Sequence, residues 1–155
     1  MFQRVSKPLM LEDITQVELD LGILIPNEVK IHYLQHNGGL PDPNTWIIDE
    51  DFGIWHSVST FFPMRYPSDF STGITIESVY KQGQEKDFLL RDLVPFANDP
   101  GGNFFCFDPN GQVYFYSMDD WDQNLSKDEN KLKSKRFLTN SFSAFVEGLT
   151  SEPKI

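Results

Sequence analysis

The hydrophobic period of the chain changes once, across Asn37-Gly38-Gly39, and that change limits the folds open to it. Before it, apolar residues recur at helical spacing. Ile14, Val17 and Leu21 fall at i, i+3 and i+7, which predicts a helix over about Glu12 to Leu21, stopped by Gly22. Pro26 suits a first helical position, so a second helix is expected from there to about His36, with Val29, Tyr33 and Leu34 inward. Asn and Gly both accept the left-handed conformation that closes helices, and Asn37-Gly38-Gly39 reads as the second stop.

Beyond that point the spacing turns strand-like. Trp46-Ile47-Ile48 and Ile54 to Phe62 read as strands, with Ile54, His56 and Val58 on one face. Thr72 to Gln82 is ambiguous. Ile76, Val79 and Tyr80 suit a helix closed by Gly83, whereas Ile74 and Ile76 alone suit a strand; helix is the reading taken. Leu93 to Ala97 is a short strand in which Pro95 implies an edge or a bulge. Asn98 to Asn103 is dense in turn formers, and Asp108-Pro109-Asn110-Gly111 joins Phe104–Phe107 to Gln112–Met118 as a hairpin. A last helix, capped near Asn140 or Ser141, aligns Phe142, Phe145, Val146 and Leu149. The order of elements predicts one α+β domain over residues 1–155, a mostly antiparallel sheet flanked by helices.

Composition narrows the function classes. At 155 residues, with 14 Phe, the chain can fill a core. A single cysteine, Cys106, rules out a disulfide framework and fits a reducing compartment. Leu9-Met10-Leu11 is too short for the ~7–15 apolar residues of a signal peptide, and no run approaches the ~18 of a membrane span. A cytoplasmic protein is expected, with no membrane partner. With 13 basic and 23 acidic side chains the net charge is −10, so phosphate backbones should be repelled and a basic protein partner favoured. The one basic run, Lys127 to Arg136, lacks interleaved aromatics, contains Asp128 and Glu129, and reads as a solvated loop or surface helix.

Leu21-Gly22-Ile23-Leu24-Ile25-Pro26 leading into a helix that ends in Asn37-Gly38-Gly39 resembles the opening signature of the SUKH superfamily, the Smi/Knr-like proteins. Val94-Pro95-Phe96-Ala97-Asn98-Asp99, the Gly101-Gly102-Asn103 turn, Phe104 to Asp108, Gly111 to Tyr114 and Ser141 to Phe145 follow in the same order, so the resemblance spans about Glu18 to Leu149. It implies an α+β fold and, for bacterial members, an immunity protein that binds and neutralises a cognate toxin, often a nuclease. Fungal relatives imply the alternative of a regulatory interaction module. The motif residues Gly22, Pro26, Asn37, Gly38, Gly39, Asp99, Gly102, Asn103 and Gly111 transfer a fold rather than a site. The stretch Asp119 to Lys135 departs from the pattern and reads as a local insertion.

No catalytic constellation emerges. His32 and His36 stand at i, i+4, a metal-sharing spacing, but off the Val29/Tyr33 stripe, and read as surface histidines. His56 reads as partly buried and hydrogen-bonded, and Cys106, in an aromatic strand, as an inert core thiol. There is neither a G-x-S-x-G elbow nor a phosphate-binding loop, and no cofactor or metal is expected. The carboxylate clusters Asp49-Glu50-Asp51 and Asp119-Asp120-Trp121-Asp122, with Trp46, Trp55 and Trp121 beside them, are the candidate partner-binding residues. Aromatics anchor interfaces, and charges steer encounter. The expected partner is a basic, nuclease-like toxin, with the Asp119–Asp122 cluster favoured because it borders the divergent stretch.

Overall fold

The computed structural model describes residues 1–69 and 73–152. Helix α1, Leu11–Leu21, opens with the Asp13 carboxylate accepting the Met10 N–H at 2.8 Å. It closes on Gly22 at φ 69° and buries Ile14, Val17 and Leu21, as its spacing requires. Helix α2, Asn27–Gln35, follows with Pro26 as the residue before its first turn. Between them the Glu18 carboxylate accepts the Ile25 N–H at 2.7 Å and pairs with Lys30 at 3.3 Å, fixing the corner.

The Asn37-Gly38-Gly39 segment is not the helix cap that the sequence suggests. α2 ends where His36 becomes extended, at φ −140°. The two glycines, at φ 76° and 108°, instead let chains cross. A Cβ on Gly38 would lie 2.8 Å from the Pro63 nitrogen, and one on Gly39 2.6 Å from the Gln3 carbonyl. There the short strands β1, Phe2–Gln3, and β2, Leu40–Pro41, pair antiparallel.

Strands β3, Thr45–Asp49, and β4, Ile54–Ser57, form a two-stranded sheet of their own. The expected long strand from Ile54 to Phe62 divides, because Val58 bonds back to Asn44 at 2.7 Å while Ser59 bonds to Asn98 at 2.8 Å. The chain thereby passes into the main sheet as β5, Thr60–Phe61. Helix α3, Ile76–Glu85, begins at Thr75, whose hydroxyl accepts the Ser78 N–H at 3.1 Å. Thr72, the expected start, lies outside the described residues. Gly83 does not stop α3; it sits inside the helix, where a Cβ would lie 2.8 Å from the Leu89 side chain.

The main sheet is antiparallel, in the order β5-β6-β7-β8-β9. Strand β6 is Val94–Asn98, β7 Phe104–Phe107, β8 Val113–Tyr116 and β9 Lys135–Thr139. β6 is interior, and Pro95 marks a bulge: the register passes from Pro95↔Cys106 to Ala97↔Phe105, leaving Phe96 as the extra residue. Helix α5, Phe142–Glu147, lays Phe142 and Phe145 against Phe96, Phe105 and Phe107 on one face. Phe104, one residue out of phase, stacks on Phe88 at 6.4 Å on the other. The fold is α+β, an antiparallel sheet flanked by helices.

The divergent stretch Asp119 to Lys135 is structured. Its second half is helix α4, Lys127–Ser134, which leads into edge strand β9. Ser126 caps α4 by accepting the Glu129 N–H at 3.1 Å. Buried Asn130 ties the preceding loop down by accepting the Asp122 N–H and donating to the Asp122 carbonyl, both at 2.8 Å.

Candidate interaction surface

The motif residues are occupied in holding the backbone. Asn37, 2% exposed, donates to the carbonyls of Lys7 and Met64 and accepts the Met64 N–H. Asp99 accepts the backbone N–H of Asn103 at 2.8 Å and its side-chain amide at 3.0 Å, closing the β6–β7 turn. Asp108 accepts from the N–H groups of Asn110 and Gln112, both at 3.0 Å, and shapes the β7–β8 turn. Gly102 and Gly111, at φ 84° and 86°, supply the left-handed residues.

The titratable groups inside are equally committed. Cys106 is fully buried, and desolvation pushes its thiol well up. His32 is not a surface histidine. Phe2 meets its ring edge-on at 4.8 Å and Phe142 at 5.3 Å, and burial lowers its pKa to about 4. The helical wheel puts His32 beside the Tyr33 stripe; β1 and α5, distant in sequence, then cover that flank. Leu34, expected inward, is 38% exposed. His56 is half-buried as expected, but among the described residues it is held by stacking on Phe115 at 3.8 Å rather than by the expected hydrogen bond, and burial lowers its pKa. Among the described residues, no group of three His, Cys, Asp or Glu is arranged to hold a metal, and no helix is long and apolar enough to cross a membrane.

The basic run is bound to carboxylates of the chain itself. Lys127 pairs with Asp87 at 3.6 Å, Lys131 also bonds Asp87, and Arg136 pairs with Asp120 at 3.6 Å. That last pair alters the standing of the second acidic cluster. Asp120 is compensated, and Asp122 turns its carboxylate to the Asn124 N–H at 2.9 Å. Asp119 is exposed and Trp121 half-buried.

The first cluster lies at the free end of the β3–β4 hairpin. Asp49 accepts the N–H groups of Asp51 and Phe52 at 3.1 and 3.2 Å, which folds the tip. Glu50 and Asp51 are exposed, and among the described residues no ion pair joins Asp49, Glu50 or Asp51 to a cation. Around them stand Phe52, 81% exposed, Ile54 at 50% and Ile48 at 47%. None of the three is among the candidate partner-binding residues read from the sequence, where Ile48 and Ile54 end and begin the two predicted strands and Phe52 falls between them. Trp46 stacks on Phe145 at 5.2 Å, while its cross-strand partner His56 lies on Phe115. Trp55, opposite Ile47, is half-buried. A separate groove of about 720 Å³ runs beside α3, lined by Phe62, Ile74, Val79 and Phe104, with Lys81 and Glu85 on its rim.

Residues 8–148 match the model of the SMI1 / KNR4 family (SUKH-1). The chain belongs to this family. It is also similar to a Bacillus subtilis (strain 168) protein described as "SPbeta prophage-derived uncharacterized protein YokK". The two are 25% identical over 155 residues, spanning 92% of this chain and 75% of that one. Glu18, Gly22, Pro26 and Asn37-Gly38-Gly39, the residues that carried the resemblance, fall within the matched span and in the α1–α2 corner and the crossing after it.

Proposed function

We propose that this SUKH protein is a cytosolic immunity protein that binds a cognate toxin, of basic, nuclease-like type, and neutralises it by covering its active cleft. The observation that carries the reading is the division of labour among residues. The family's motif residues are spent on turns, crossings and corners, which leaves an acidic exterior as the chemistry available to a partner. A nuclease must present positive charge to phosphates, so a chain of net charge −10 can compete for that surface. Cys106, sealed in the core with a raised pKa, offers no nucleophile to an alternative enzymatic reading. A prophage-derived relative fits genes that serve conflict between cells.

The match to the SMI1 / KNR4 branch supports a second reading, a non-catalytic regulatory module of the Smi/Knr type that binds an intracellular partner without inhibiting it. Expression of the neighbouring reading frame, alone and together with this chain, separates the two. Killing that this chain relieves supports immunity; a harmless neighbour, or killing that persists, favours regulation.

A further inference from the structure

The β3–β4 hairpin stands outside the five-stranded main sheet. It forms its own sheet, anchored at its root by the Thr45–Thr150 bridge and along one face by Trp46 on Phe145 and His56 on Phe115. Past those anchors, residues 50–54 are all exposed. Phe52 is the most exposed phenylalanine among the described residues, and Ile48 and Ile54 flank it at about half exposure. Leaving a Phe in water forgoes the stabilisation of its burial, and a turn needs no aromatic residue at its tip.

From this geometry we infer that the hairpin end is the docking surface, and that its occupant is a basic protein with an apolar socket for Phe52. Charge selects the occupant. Asp49, Glu50 and Asp51 surround the apolar residues without a compensating ion pair among the described residues, so a second copy of this chain would bring like charges together. A cationic rim around a socket meets both demands at once. The apolar corner at Leu19 and Leu24, 71% and 77% exposed, lacks such a selector, because Glu18 beside it is already paired with Lys30. In the groove beside α3, Lys81 and Glu85 cancel. The inference deepens the neutralising reading above and rests on it only for the nature of the partner.

The test is site-specific photo-crosslinking in the cells that encode the chain. A benzophenone amino acid replaces Phe52 in one sample and Leu24 in another. The expected result is a cross-link from position 52, but not 24, to one basic protein identified by mass spectrometry. That protein, purified, should bind the parent chain, and Phe52→Ser should weaken binding about thirtyfold, the scale of an interface anchor, with thermal unfolding unchanged. No cross-link from 52, a cross-link from 24 instead, capture of a second copy or an acidic protein, or binding that Phe52→Ser leaves unaltered would each overturn the proposal. A basic protein held at Phe52 but harmless when expressed alone would keep this surface and remove the toxin reading.

Discussion

The side-chain amide of Asn37 and the backbone of Met64 meet as two strands would: Oδ1 accepts the Met64 N–H at 2.8 Å and Nδ2 donates to its carbonyl at 3.0 Å. A third bond runs from Nδ2 to the Lys7 carbonyl at 2.8 Å. One buried residue thus joins the N-terminal segment, the end of α2 and the chain leaving β5. Asn37→Ala would strand several buried backbone groups at about 1–3 kcal/mol each, and a total loss of about 2–4 kcal/mol is expected by urea unfolding. Asn37→Asp should also destabilise, since both donated bonds are lost and a charge is buried.

Two positive-φ glycines should respond differently to the same substitution. Gly22, at φ 69°, has no atom within 4 Å of a built Cβ, so Gly22→Ala meets only the left-handed penalty, about 1–2 kcal/mol. Gly38→Ala adds a clash with the Pro63 backbone at 2.8 Å, which cannot rotate aside, and should cost about 2–4 kcal/mol. Equal melting temperatures for the two variants would contradict the chain-crossing account of Asn37-Gly38-Gly39.

That segment also shows what the sequence makes legible. Gly22, the Asp108–Gly111 turn and the Phe142/Phe145/Leu149 stripe are local devices, and each is readable from its immediate neighbours. Gly38, Gly39 and Gly83 are glycine because of Gln3, Pro63 and Leu89, contacts that no local pattern reveals. His32 reads as a surface histidine for the same reason, since Phe2 and Phe142 come from opposite ends of the chain. Strand β9 escapes notice because, as a half-covered edge, it places Phe137 and Leu138 side by side, without alternation. The acidic clusters are visible in sequence, but the bridge from Arg136 to Asp120 is not, and it shifts the preference to Asp49-Glu50-Asp51.

Cys106 supplies a test of the core. With the thiol fully buried, DTNB should react only as fast as the protein opens, and completely after denaturation. Stoichiometric labelling of the native protein within seconds at neutral pH would be inconsistent with this packing.

His32 should make stability pH-dependent. Burial, followed by repulsion from His36, lowers its folded-state pKa from 6.5 to about 4, so between those values the unfolded chain binds more protons. The stability held by neutral His32 is therefore complete above pH 6.5 and falls toward about pH 4, by about 3 kcal/mol in total. His56, lowered by burial, acts in the same direction; Glu77, raised by burial, acts in the opposite one, its contribution lost as pH rises. The contribution of His32 is isolated by comparison with His32→Leu. The parent should lose about 3 kcal/mol more than the variant between about pH 7 and pH 4, and parallel curves would rule the assignment out.

Charge removal at the two acidic clusters should separate them kinetically. Replacing Asp49, Glu50 and Asp51 by Asn or Gln should slow association with the partner and flatten its salt dependence, since steering acts over roughly 8–10 Å at physiological salt. The same treatment of Asp119, Asp120 and Asp122 should have a smaller effect on association, because Asp120 already faces Arg136. Surface plasmon resonance over a salt series against an inactive form of the partner reads both, and a larger effect at the second cluster would reverse the assignment.

Neutralisation by occupancy is read in the nuclease activity of the purified partner titrated with this chain. Activity should fall linearly to background at one equivalent, with Phe52→Ser needing a large excess. A partner that binds stoichiometrically at the hairpin yet retains full activity would contradict it.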